Sequence, residues 1–163
     1  MIVKVGRAAA AAGVAVGAAA LLAACSQDTP LVDPTWQIVN VYRDPGVPSQ
    51  VPDSSAGDAV MVFGHSSVAG NTGCGSFQAK VTYQAGGEVV APGDADAIVF
   101  TALNIQPPGQ CEGAALYVHE QLAEMLHGQF DISHDPDHGG ELLLHKHTDA
   151  VDKPAIRLVA NNS

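Results

Sequence analysis

Histidine is the residue type whose placement in this chain most invites chemistry. Seven occur in 163 residues, and four of them, His134, His138, His145 and His147, come late. On a strand, His145 and His147 share a face, while Asp135, Asp137 and His138 fall in the turn that leads into it. Imidazole and carboxylate donors so arranged could hold Zn²⁺, Cu²⁺ or Ni²⁺ at the surface, which makes a metal-binding protein the alternative reading. The spacing matches no recognised metal motif, so the first expectation is a wet polar hairpin with no metal and no other cofactor. Gly64-His65-Ser66-Ser67-Val68 opens like a nucleophile elbow, but Val68 stands where the second glycine belongs. No catalytic residue is expected and the chain is not read as an enzyme.

The three cysteines point to an address. Lys4 and Arg7 precede an unbroken run of small and apolar residues, 8–24, and at its end stands Leu22-Ala23-Ala24-Cys25. That run is shorter than the roughly 20 residues that span a bilayer as a helix. The segment resembles the lipobox of bacterial lipoproteins, in which the cysteine is acylated, as by palmitate, and becomes the first residue. The implied plan is a signal peptide over 1–24, a lipidated tether over 25–34 and a domain over 35–160. It places the protein on the extracytoplasmic face of the cell membrane, with Cys25 as the lipidation site. Cys74 and Cys111 then remain as an even pair in an oxidising compartment, and a disulfide is expected between them, the alternative being two buried thiols.

Composition agrees with one globular domain: 47% of the residues are apolar and the mean hydropathy is +0.13. Removing 1–24 leaves five Lys and Arg against 17 Asp and Glu, a charge of −12. Such a chain has no basic footprint for phosphates, so nucleic acid is not an expected partner. The same charge repels anionic headgroups and predicts a domain held off the bilayer by its tether.

The elements that must position these residues are mostly strands. Short β-rich runs bounded by turn residues predict strands over 36–42, 59–64, 76–83, 98–105, 130–133, 141–147 and 156–160. In the third, Phe77, Ala79, Val81 and Tyr83 alternate with polar residues, the period of a half-wet antiparallel strand. The stretch 43–58, rich in Pro, Gly and Ser, predicts a long loop. Helical period appears once, where Ala115, Val118, Leu122, Met125 and Leu126 share a face, with Glu112 in the first turn and Gly128 beyond the end. His119 and His127 belong to this element and are given structural roles, His127 as a partner of the helix dipole. The predicted fold is α+β: a small antiparallel sheet of about seven strands with one helix packed on it.

Met61-Val62-Phe63-Gly64 followed by Val68 through Phe77, with Gly73-Cys74-Gly75 at its heart, resembles the centre of the META domain, also called HslJ-like. Trp36, the stretch ending in Cys111, the helix after it and the hairpin over 130–144 follow in that family's order. Gly75 after Cys74 and Gly109-Gln110 before Cys111 depart from its usual pattern. The resemblance implies a small α+β domain of bacterial envelope proteins, connected with envelope stress, without established catalytic residues. It favours a non-enzymatic binding role toward an envelope component. In the Gly-Cys segment itself, Gly70, Gly73 and Gly75 permit a tight turn that aims Cys74 at the helix start.

Overall fold

In a computed structural model, residues 29–134 and 139–161 are described. The expected signal peptide, Cys25, and the turn residues Asp135, Asp137 and His138 lie outside them. Nine strands and one helix follow in the order β1 (Thr35–Tyr42), β2 (Ala59–Phe63), β3 (Ser67–Thr72), β4 (Ser76–Ala85), β5 (Glu88–Val89), β6 (Ala97–Ile105), α1 (Gly113–Met125), β7 (Gly128–His134), β8 (Glu141–Lys146) and β9 (Ala155–Asn161).

In space the strands run β3-β2-β1-β9-β8-β7-β6-β4, and β3 pairs with β4 as well, so eight antiparallel strands close on themselves. β5 is a two-residue addition to β4. The predicted α+β fold with a helix packed on a sheet is therefore corrected to a closed β-barrel with one short helix. The physical reason lies in β3. Ser67-Val68-Ala69-Gly70-Asn71-Thr72 carries one branched aliphatic and reads as turn, yet Val68 and Thr72 point inward and are buried. Its backbone bonds to β2 on one side and β4 on the other, which removes both sheet edges.

Closure turns every apolar face toward one axis, so no helix is needed to cover a sheet face. Alternate residues fill the interior: Trp36, Ile38, Met61, Phe63, Tyr83, Ile98, Phe130, Leu142, Leu144, Ile156 and Leu158 each expose 2% or less. Phe100 meets Phe130 edge-on at 5.5 Å between ring centroids. The barrel axis is thus core and not a channel, as expected for eight strands.

The helix serves one mouth. β6 ends and β7 begins there, and α1, joining them, buries Val118, Leu122 and Met125, with Leu126 just beyond. Glu112, expected in the first turn, is the extended N-cap residue, and its side chain makes no capping bond. At the other end the cation is Lys146 rather than His127. Its ammonium donates to the carbonyls of Met125 and His127 and lies 4.6 Å from the Phe130 ring centroid. Burial there holds the Lys146 pKa below its usual value.

The opposite mouth is closed by chain that precedes β1. Residues 29–34, expected within the tether, are laid against the barrel. Leu31 is buried and its carbonyl accepts from the Trp36 indole at 3.0 Å, while the Asp33 N–H donates to Phe63 at 3.2 Å. The loop over 43–58 is also pinned. Its residues 49–51 run beside β1, with Val41 N–H donating to Ser49 and Val51 N–H to Val39, where β2 no longer pairs.

Two outcomes follow from this packing. A Cβ at Gly70 would lie 2.3 Å from the Val60 carbonyl oxygen and 2.6 Å from the Phe77 ring, between strands that cannot part. Gly70→Ala should therefore lose about 1–3 kcal/mol or more in urea unfolding. Tyr83, whose hydroxyl donates to the Gly64 carbonyl at 2.7 Å, is pushed by burial up to about 12. Its folded pKa lies above the unfolded value, so stability is intact below pH about 10 and falls as the pH rises toward 12, by about 2–3 kcal/mol in all. Alkaline unfolding of Tyr83→Phe should lack that decline.

Candidate functional site

The Gly-Cys segment is the tight turn between β3 and β4. Gly73 takes a φ of +93°, and a Cβ at Gly75 would lie 2.7 Å from the Gln106 carbonyl oxygen. Thr72 organises the turn. Its N–H donates to the Gly75 carbonyl at 3.0 Å, and its Oγ1 accepts from the Gly75 N–H at 3.1 Å. The turn delivers Cys74 to Cys111, with a disulfide between them and Cα atoms 5.6 Å apart. Beneath it, Thr72 Oγ1 and His119 Nδ1 are 2.8 Å apart and both residues are buried. His119 is thus a structural side chain that joins helix to turn, where periodicity alone placed it only on the helix. His127 lies beyond the helix and is exposed.

The Gly64-His65-Ser66 stretch forms the β2–β3 hairpin turn, with the Gly64 N–H donating to the Ser67 carbonyl at 2.7 Å. It does not form the strand-to-helix turn of a nucleophile elbow.

The late histidines separate. His134 ends β7 opposite Leu142 and is exposed, whereas His145 on β8 pairs in register with Asp131, three residues earlier on β7. Along a strand that offset is about 10 Å. His147 Nδ1 lies 2.9 Å from Asp131 Oδ1, and Lys153 Nζ lies 3.4 Å from Oδ2. Burial raises the Asp131 pKa, but the hydrogen bonds and charges of His147 and Lys153 outweigh it and hold the carboxyl below its usual value. Among the described residues, no three His, Cys, Asp or Glu side chains are grouped so as to hold a metal ion.

A recess lies beside this cluster, on the outer wall of the barrel at the helix end. It is an open groove of about 670 Å³. Tyr42, Leu143, His145 and Ala155 line it from β1, β8 and β9, between the loop that starts at Arg43 and the one that ends at Lys153. Tyr42, Val47 and Val151 are 40%, 46% and 99% exposed, so half of the six exposed large apolar side chains among the described residues gather at one place. Arg43 ties the first loop to α1, with Glu124 at 2.5 Å and the Gln121 amide oxygen at 3.1 Å.

Sequence reasoning missed both Asp131 and this groove. Asp131 carries no motif and is revealed only by the β7–β8 register. The groove's one signal was Tyr42 followed by a Pro-rich loop, which says nothing of the loop it would face. Reducing the disulfide should lower stability by about 3–4 kcal/mol, the chain-entropy value for a separation of 37. Hydrogen exchange should then rise first in α1, which Cys111 tethers. In the comparisons with known proteins, the chain matches no family model, no curated protein and no solved structure, so the roles of these sites rest on their own geometry.

Proposed function

We propose that the chain is a lipid-anchored protein of the cell envelope, related to the META-domain proteins through its Gly-Cys segment, and that it binds an envelope component without catalysing a reaction. The observation that carries the binding part is the filled barrel. With Trp36, Phe63, Phe130 and their neighbours occupying the axis, a ligand has no lumen to enter, and recognition falls to the outer wall. There the groove offers exposed apolar side chains beside Arg43 and Lys153, two of the five cations beyond residue 25.

The path of the chain supports the same reading. Residues 29–34 cross the mouth opposite α1, whereas the groove lies at the helix end. A lipid on Cys25 would then lie four residues from Thr29, at most about 14 Å of extended chain. The groove would face away from the bilayer, toward other envelope components. Asp33, Glu88, Asp94 and Asp96 belong to segments at the membrane-proximal end, where they would resist contact with anionic headgroups.

Two measurements test this. Changing Cys25→Ser in the full chain should move it from the membrane to the soluble fraction, and retention in the membrane would refute the anchor. A photo-crosslinker at Val47 or Val151 in cells should give a discrete adduct that Leu143→Glu abolishes. The same probe at Val89, 72% exposed on the far hairpin, should give none. Equal labelling from all three positions would refute the groove as the binding surface.

A further inference from the structure

We propose that His145 and His147 form a two-imidazole chelate for one divalent transition-metal ion, Cu²⁺ in preference to Ni²⁺ or Zn²⁺, with Asp131 orienting His147. The backbone stays extended through this segment, since the Lys146 N–H donates to Pro154 at 2.7 Å and the His147 N–H to Gln129 at 3.0 Å. Lys146 turns its side chain to the carbonyls at the end of α1 and to the Phe130 ring. By the alternation of a strand, its two neighbours share the other face. His145 lines the groove on that outer wall, and His147 meets Asp131 there.

His147 stands one residue past β8 on backbone that these bonds keep extended, so its Cα and that of His145 are about 6.6 Å from each other. From such a spacing the exposed His147 ring and the half-buried His145 ring, which opens on the groove, can turn onto one ion at nitrogen–metal distances of about 2.0–2.1 Å. Asp131 supplies the second part of the argument. A carboxylate oxygen 2.9 Å from His147 Nδ1 keeps the proton on that nitrogen and leaves the Nε2 lone pair for a metal. This is how carboxylates orient metal-binding histidines elsewhere, and imidazole donors favour Cu²⁺ by the usual affinity order. Water would complete the coordination.

The site is narrower than the four-histidine cluster considered from the sequence: His134 is not part of it, and Asp131 is. Lys153 opposes it, because its ammonium stands 3.4 Å from the same carboxylate and repels a cation. The inference needs neither the lipid nor a partner, so it stands or falls apart from the envelope reading.

Calorimetric titration of the detergent-solubilised full chain with Cu²⁺, Ni²⁺ and Zn²⁺ tests it. One saturable site is expected, tightest for Cu²⁺, and paramagnetic resonance of the Cu²⁺ form should show coupling to two imidazole nitrogens. His145→Ala and His147→Ala should each weaken binding about tenfold or more, and Asp131→Asn about 10–100-fold, while Lys153→Ala should tighten it. His134→Ala should leave it unchanged and serves as the control for general surface binding. No saturable site in the parent chain, or undiminished binding with the two-imidazole signal in the His145→Ala/His147→Ala double variant, would overturn the proposal.

Discussion

Where β2, β3 and β4 meet, Gly70 has the Val60 carbonyl against one side and the Phe77 ring against the other, with no room for a side chain between. That close approach lets β3 bond to both neighbours, and through it the sheet closes. Once closed, the barrel has no exposed ladder edge and no sheet face in need of a cover. Its interior is then set by inward positions alone, with Trp36, Phe63, Phe130 and the aliphatics of β8 and β9 filling the axis. Buried apolar area supplies the stability, and the axis is occupied by the chain's own side chains.

A filled barrel still has two mouths, and the chain closes each with what lies nearest in sequence. At one, α1 inserts between β6 and β7 and is held at both ends, by the disulfide before its first turn and by Lys146 on its last carbonyls. The His119–Thr72 contact ties its middle to the same turn that carries Cys74. At the other mouth, Leu31 and the Trp36 indole bring residues 29–34 down onto the barrel. Because the two closures use opposite ends, the N-terminal segment and the helix are kept apart. On the reading we propose, that separation would direct the groove away from a lipid on Cys25.

The binding we propose belongs to the outer wall. The wall of β1, β9 and β8 differs from the rest in having two long connections rise beside it. They gather Tyr42, Val47 and Val151 with Arg43 and Lys153 around a strand surface that carries His145. The acidic surround makes those cations distinctive, since few others exist in the domain. Asp131 stands at the edge of this region between His147 and Lys153, so charge, hydrogen bonding and apolar exposure meet within one stretch of wall.

Local pattern alone determined several things: the period-2 strands such as β4, the single amphipathic helix, the tight Gly73 turn and the pairing of Cys74 with Cys111. Each depends on neighbours in sequence or, for the cysteines, on setting Cys25 aside as the expected lipidation site, and such information survives in a one-dimensional reading. Tertiary structure decided the rest. β3 is a strand because β2 and β4 flank it, not because Ala69-Gly70-Asn71 favours extension, so the barrel was invisible where its closing element reads as turn. The helix kept its predicted face but covers a mouth, because the strands it joins end together there. Asp131 meets His145 and His147 through register, and the groove faces two loops more than 100 residues apart in the chain. Contacts of that kind arise from closure of the whole sheet, and no window of local sequence contains them.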